Sequence, residues 1–315
     1  MSNLNGFFAG DKKSLSKILT KLENGDREQR KEIIKEIWDR SESHGNVIGI
    51  TGPPGVGKST LVNEIVKNLS EENEVAVIAV DPSSPKSGGA LLGDRIRINS
   101  TSNVFIRSMA TRGSMGGLSK STSDVIRAMQ SFGFDYIFVE TVGAGQSEVD
   151  VMKFADTVIM VTMPELGDDI QALKAGLLEI GDVFVVNKSD KEGADKKVFE
   201  LESIISDNPL SPDKEEVEGW KPPILKTIAK KGEGVDELIE NTKNHQKYIN
   251  TENRIKEKKY TMIREELLES INEIFEDILE DKEDKFDSII NEVMDHRKDP
   301  YSASEDVIKL LKEEL

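Results

Sequence analysis

The sequence predicts an α/β fold built on a mostly parallel, doubly wound sheet, and three observations carry that reading. Short, nearly continuous β-branched runs recur at residues 47–51, 75–80, 136–139, 157–163 and 183–186, as expected of strands buried on both faces. Helical apolar periodicity fills most of the intervals, at residues 60–69, 121–131 and 169–179. A glycine-rich turn joins the first strand directly to the first of these helices. Residues 222–227 add a further candidate strand.

The flanks read as helical. After Asp11, Leu15, Ile18, Leu19 and Leu22 recur at helical spacing until Asn24-Gly25 closes the segment, and a second helix carries Ile33, Ile34, Ile37 and Trp38. Near the other end, Ile263, Leu267, Ile271, Ile274 and Ile278 form one stripe, continued by Ile289, Ile290, Val293 and Met294. That is a long amphipathic helix or a helical pair, either packed on its own domain or serving as a dimerisation arm. The expected organisation is an N-terminal helical extension at 1–45, a nucleotide domain at 46–250 and a C-terminal helical region at 251–315. Residues 81–102, punctuated by Pro82, Pro85, Gly88, Gly89 and Gly93, read as a long loop of the functional kind.

Composition narrows the function. Lysine and arginine number 42 against 59 aspartate and glutamate, a net charge of −17, and from Thr251 onward 20 acidic residues face 11 basic ones. Such a field repels phosphate backbones and anionic lipid, so neither nucleic acid nor membrane is an expected partner. Cysteine is absent and histidine is limited to His44, His245 and His296, which excludes disulfides, thiolate metal sites and histidine-rich sites. With no basic start before an apolar run and no span-length apolar stretch, a cytoplasmic protein is expected.

The turn after the first strand reads Gly52-Pro53-Pro54-Gly55-Val56-Gly57-Lys58-Ser59-Thr60, a P-loop in its required strand-to-helix context. Glycines let backbone N–H groups fold around phosphate oxygens, and the helix N-terminus adds partial positive charge. Lys58 reaches the β- and γ-phosphates in this reading, and Ser59 offers its hydroxyl to magnesium. Such a metal site needs a carboxylate at a neighbouring strand end. Glu140 closes the strand at 136–139 and Asp81 closes 75–80, while Asp94 in the long loop is a third candidate. Gly143 stands where an N–H senses the γ-phosphate. Gln146 follows at a spacing that differs from the water-orienting glutamine of Ras-like enzymes, so that role and a plain switch-loop amide both stay open.

The strand at 183–186 leads into Asn187-Lys188-Ser189-Asp190 at its C-terminal end, where open α/β sheets bind ligands. One carboxylate accepts both the ring N–H and the exocyclic amine of guanine, a donor pair that adenine lacks, so Asp190 selects guanine. Lys188 lays its stem along the ring, Asn187 ties loops together, and Ile228-Ala229-Lys230 offers backbone N–H groups to the base carbonyl.

Together these elements resemble the methylmalonyl-CoA mutase-associated GTPases, the MeaB or MMAA group. The resemblance spans nearly the whole chain and rests on residues 52–60, on Asp81-Pro82-Ser83-Ser84-Pro85 and the run from Gly88 to Asp94, on Glu140-Thr141-Val142-Gly143-Ala144-Gly145-Gln146, and on Gly167-Asp168-Asp169-Ile170-Gln171 with Lys174. It implies that Asp81, Asp94 and Glu140 are magnesium-linked or switch carboxylates. By the same resemblance Gly167, Asp168, Asp169, Gln171 and Lys174 belong to a switch that communicates with a mutase, the long helix is a homodimerisation arm, and Asp299-Pro300-Tyr301-Ser302-Ala303 is a turn near the C-terminal end. The implied function is a slow, partner-stimulated GTPase that gates cofactor loading of an adenosylcobalamin-dependent acyl-CoA mutase, cobalamin being held by the partner alone. Two alternatives share the architecture: a nickel-delivery GTPase, which lacks its cysteine and histidine ligands here, and a small-molecule kinase of the amino-acid transport type, after an older label for the family.

Overall fold

The computed structural model describes residues 4–40, 45–82, 103–111, 117–141, 154–164, 180–207 and 219–312. The chain forms two compact units, Met1–Ile255 and Lys256–Leu315. The N-terminal helices belong to the same unit as the sheet.

In the first unit, helices α1 (Asn5–Phe8), α2 (Lys12–Asn24) and α3 (Arg27–Arg40) precede the first strand. Helix α2 starts because the Asp11 carboxylate accepts from the Lys13 and Ser14 amides at 3.1 and 3.0 Å, satisfying donors that have no partner within the helix. The Ser14 hydroxyl and then the Lys13 amide hold that carboxyl below its ordinary pKa. Its stripe of Leu15, Ile18, Leu19 and Leu22 is buried. In α3 only Ile33 and Ile37 are buried. Trp38 stands outside this stripe, with the Arg127 guanidinium 4.9 Å from its ring centre, a cation–π contact that keeps the indole at the surface.

The strands are β1 (Asn46–Thr51), β2 (Val75–Pro82), β3 (Val104–Thr111), β4 (Tyr136–Thr141), β5 (Thr157–Thr162), β6 (Val183–Asn187) and β7 (Ile224–Thr227). They form one sheet in the order β3-β2-β4-β1-β5-β6-β7, with every pairing parallel. Alternating side chains feed two cores. On one face Ile48, Ile50, Phe138, Ile159 and Val161 pack on α4 (Lys58–Leu69) and α7 (Val235–Ile249). On the other, Met160, Phe184 and Val186 meet Leu201 of α6 (Ala194–Asp207), and α5 (Gly117–Phe132) packs with α2 and α3. Truncating any of these buried side chains to alanine costs about 2–5 kcal/mol.

Strand β3 is absent from the sequence-level reading. It is an edge strand whose Arg107 interrupts the apolar run, and that guanidinium reaches the Glu23 carboxylate of α2 at 2.7 and 2.9 Å. A half-polar edge strand gives little hydrophobic signal, and its charge discourages pairing with another chain. The helix expected at 169–179 lies outside the described residues.

The second unit resolves the open choice at 260–294 as a helical pair, α8 (Glu252–Asp281) and α9 (Glu283–Met294). The stretch at 299–303 is not a turn but the start of α10 (Pro300–Lys312). The Asp299 carboxylate accepts from the Tyr301 and Ser302 amides and the Ser302 hydroxyl, and Pro300 fits the first helical turn because its missing N–H is not needed there. The Lys298 ammonium then braces α9 to α10, reaching Glu292 at 2.7 Å and Asp306 at 2.5 Å.

That brace predicts the pH response of the C-terminal helices. The hydrogen bonds from Lys298, then Lys309, lower the Asp306 pKa to about 2, and those to Asp306 and Glu292 raise that of Lys298. A depressed carboxyl contributes stability that is complete above its unfolded value of 3.8 and lost as pH falls towards 2, whereas a raised lysine loses its contribution only above the ordinary lysine range. Protection of the α10 amides, relative to their intrinsic exchange at each pH, is expected to fall selectively between pH 4 and 2, and Asp306→Asn to remove that step. An exchange profile identical in the variant contradicts the assignment.

Candidate functional site

The sheet changes winding direction at β1, which lies between β4 and β5, so a crevice opens at the C-terminal ends of these three strands. The loop leaving β1 fills it. Gly52, Gly55 and Gly57 all have positive φ, at 142°, 80° and 101°. A side-chain carbon at Gly52 would lie 2.0 Å from the Val161 carbonyl oxygen, and one at Gly57 would lie 2.5 Å from Asn187 Nδ2. Glycine is thus demanded twice over at both positions, by backbone conformation and by close approach.

Gly57 caps α4, and Lys58 opens it. The lysine is 6% exposed, and its ammonium donates to the carbonyls of Gly52 and Pro53 at 2.5 and 3.2 Å. An ammonium beside a helix N-terminus makes a local positive potential inside a strongly acidic protein. The next residue, Ser59, donates its hydroxyl to Glu140 Oε1 at 2.5 Å. Glu140 reaches this point because β4 runs parallel to β1 with Ile50 opposite it, and it is 3% exposed.

Asp81 lies near the end of β2, two residues past Ala79, which pairs with Glu140, so its backbone is at the same sheet edge; its side chain falls outside the described residues. Among the described residues no group of three histidine, cysteine, aspartate or glutamate side chains gathers as a metal site. The oxygen pair of Ser59 and Glu140 instead suits a hard cation that takes few protein ligands and keeps its waters. Asp94, Gly143, Gln146, Gly167, Asp168, Asp169, Gln171 and Lys174 lie outside the described residues.

A second set of loops meets the first through Asn187. This residue ends β6 and is 2% exposed. Its Nδ2 donates to the Val56 carbonyl at 2.8 Å, while its Oδ1 accepts from the Thr227 hydroxyl at 3.1 Å and the Ala229 amide at 3.0 Å. The phosphate loop and the ends of β6 and β7 thus share one amide. Lys188 follows with φ of 55°, uncommon for a residue with a side chain, and its ammonium donates to the Gly55 carbonyl at 2.7 Å and to Met163 Sδ at 3.4 Å. Asp190 is exposed at the rim, and the Ser189 amide donates to the Thr227 carbonyl at 3.0 Å.

The amides at 228–230 are not equivalent. Ile228 N–H donates to the Glu233 carbonyl and Ala229 N–H to Asn187, so both serve the loop itself. A short 3-10 turn spans Ala229–Lys231. Sequence reasoning missed Thr227 and Gly234. A side-chain carbon at Gly234, with φ of 77°, would lie 2.2 Å from the Lys226 carbonyl oxygen. The Gly232-Glu233-Gly234 pattern was the available signal.

Comparison with known proteins places this geometry. A family model described as methylmalonyl Co-A mutase-associated GTPase MeaB matches residues 15–284. A Pyrococcus horikoshii protein named as a GTPase is 49% identical over 304 residues, covering 95% of this chain and 94% of that protein. A Cupriavidus metallidurans protein named fused isobutyryl-CoA mutase is 38% identical over 200 residues, 61% of this chain and 18% of that protein. Among solved structures, an LAO/AO transport system kinase is similar with a TM-score of 0.68 at 22% identity, covering 98% of this chain and 96% of that one, which bears on the fold.

The Asn187 clamp gives a stability prediction. Asn187→Asp keeps both acceptances but sets a carboxylate oxygen against the Val56 carbonyl in place of a donor. The expected loss is about 1–3 kcal/mol in urea denaturation of the protein. Unchanged stability means the clamp does not hold the loops.

Proposed function

We propose, given that the chain belongs to the methylmalonyl Co-A mutase-associated GTPases of the MeaB family, that it is a GTP-operated switch serving an adenosylcobalamin-dependent acyl-CoA mutase. The observation that carries the nucleotide half is the Ser59 hydroxyl held on the buried Glu140 carboxylate at the base of a glycine loop whose lysine opens a helix. Magnesium fits that oxygen pair, with Asp81 and Asp94 as further candidate carboxylates, and when bound it would neutralise charge on the β- and γ-phosphates. The loop N–H groups and Lys58 bind and orient the polyphosphate. Lys58 opposes the negative charge that builds on the transferring group.

Asp190 then selects guanine by accepting from its ring N–H and exocyclic amine, with the Lys188 stem along the ring. Ile228-Ala229-Lys230 offers backbone N–H groups to the base carbonyl, in exchange for the loop bonds that the Ile228 and Ala229 amides make in the free protein. Gly143 and the segment carrying Gly167, Asp168, Asp169, Gln171 and Lys174 complete the switch: loops ordered by the γ-phosphate are released on hydrolysis, and a partner that prefers one arrangement is loaded or freed. Cobalamin stays with the partner.

The mutase partner is supported by the family's description and by the relative named fused isobutyryl-CoA mutase, in which a segment like this one occupies a small part of a larger chain. A homodimer is supported by α8, which exposes Tyr260, Ile263, Leu267 and Ile271 at helical spacing. We place the protein in the cytoplasm.

Asp190→Asn is expected to weaken GTP binding by about a hundredfold or more and to improve binding of xanthosine triphosphate, because the amide now donates where the carboxylate accepted. Nucleotide titration measures this, and equal GTP and ATP binding by the unmutated protein defeats the base assignment. A cognate acyl-CoA mutase is expected to accelerate GTP hydrolysis by a protein that light scattering finds dimeric. Unchanged turnover with every such mutase removes the partner, transfer of label from GTP to an amino acid selects a kinase instead, and a monomeric mass removes the dimer.

A further inference from the structure

The contact between Lys188 and Met163 belongs to no motif, yet it fixes the direction of the side chain that the base must meet. Met163 follows the last residue of β5 and stands two residues beyond Val161, whose carbonyl crowds Gly52. The close approach of the phosphate loop to β5 therefore brings the Met163 thioether beside the loop as a consequence of strand packing. Met163 itself is half-buried against the core that covers α4.

Lysine stems have many rotamers, and holding one along a flat ring requires fixing both ends. At Lys188 the backbone end is set by its left-handed conformation, with φ of 55°, between the triply bonded Asn187 and a Ser189 amide that donates to Thr227. The far end is held by two acceptors from two different elements, the Gly55 carbonyl at 2.7 Å and Met163 Sδ at 3.4 Å. One acceptor leaves an ammonium free to swing about it, whereas two define a line. A thioether suits the second place: it is a weak, polarizable acceptor that orients the ammonium without the grip of a carboxylate.

We propose that Met163 is a positioning residue for guanine-nucleotide binding, acting through Lys188. The inference rests on the reading of Lys188 as the side chain that lies along the base, and the test separates the two.

The experiment is a fluorescence titration of the full-length protein with a labelled GDP and GTP, alongside steady-state hydrolysis. Met163→Leu keeps the apolar volume and removes the acceptor. The expected result is a two- to fivefold rise in Kd for both nucleotides, on the order of one weak hydrogen bond, with kcat at saturation and Tm unchanged. Met163→Gln, which carries an acceptor oxygen at a similar reach, is expected to restore binding. In a Lys188→Met background, Met163→Leu is expected to add no further loss.

Binding by Met163→Leu equal to that of the unmutated protein overturns the inference, as does a loss of the same size with and without Lys188, or an equal loss in the leucine and glutamine variants. Unaltered binding by Lys188→Met alone overturns instead the reading of Lys188 beneath it.

Discussion

The site depends on one buried amide. Asn187 has a donor and an acceptor on a single rigid plane, and the structure uses both: the nitrogen on the phosphate loop, the oxygen on the end of β7 and the turn that follows. Three loops from distant parts of the sequence are therefore set by one side chain that cannot rotate without losing all three bonds. Gly57 exists in the form it does because this amide lies where its side chain would be. A buried polar group left without its partner costs about 1–3 kcal/mol, so the arrangement is cooperative: each bond is strong because the others hold the plane in place.

From that constraint follows the electrostatics of a protein that is acidic almost everywhere. A chain of net charge −17 attracts a polyphosphate only if the local field reverses the global one. The reversal is built from an α4 N-terminus, a lysine at its first position and loop N–H groups freed by glycine conformations. Because the potential is made of short-range, oriented dipoles, it acts at the loop and little beyond it.

What could be read in the sequence were the features that physics writes locally. The phosphate loop, the strands at 47–51 and 183–186 and the α2 stripe depend on near neighbours, and each has its counterpart in the structure. What could not be read depends on contacts between distant segments. Strand β3 is a strand because its backbone pairs with β2 from Val104 to Thr111, some thirty residues away in sequence, with Arg107 meeting Glu23 across 84 residues, and its own apolar content is too broken to announce it. Asp299 before Pro300 was legible as a local signal, and the structure uses it to cap a helix, where the carboxylate takes the Tyr301 and Ser302 amides, in place of closing a turn. The Ile228 and Ala229 amides take Glu233 and Asn187 as partners in the free protein, which the sequence does not say.

The same distinction explains why charge is concentrated where it costs most. Lys58 and Glu140 are 6% and 3% exposed, and removing charged groups from water is unfavourable by several kcal/mol each even when they are hydrogen-bonded. Apolar residues of similar size at those two positions would give a more stable fold. Both stand at the C-terminal edge of the sheet, one on the helix that leaves β1 and the other on the strand beside it, the edge at which open α/β sheets bind ligands. Each buried charge is held by a group of the opposite polarity that belongs to the site itself, a loop carbonyl for the lysine and the Ser59 hydroxyl for the glutamate. Under the proposed function, a ligand bearing both anionic oxygens and a hard cation would offer stronger partners to the same two groups, and the cost of burial in the free protein would become affinity in the bound one.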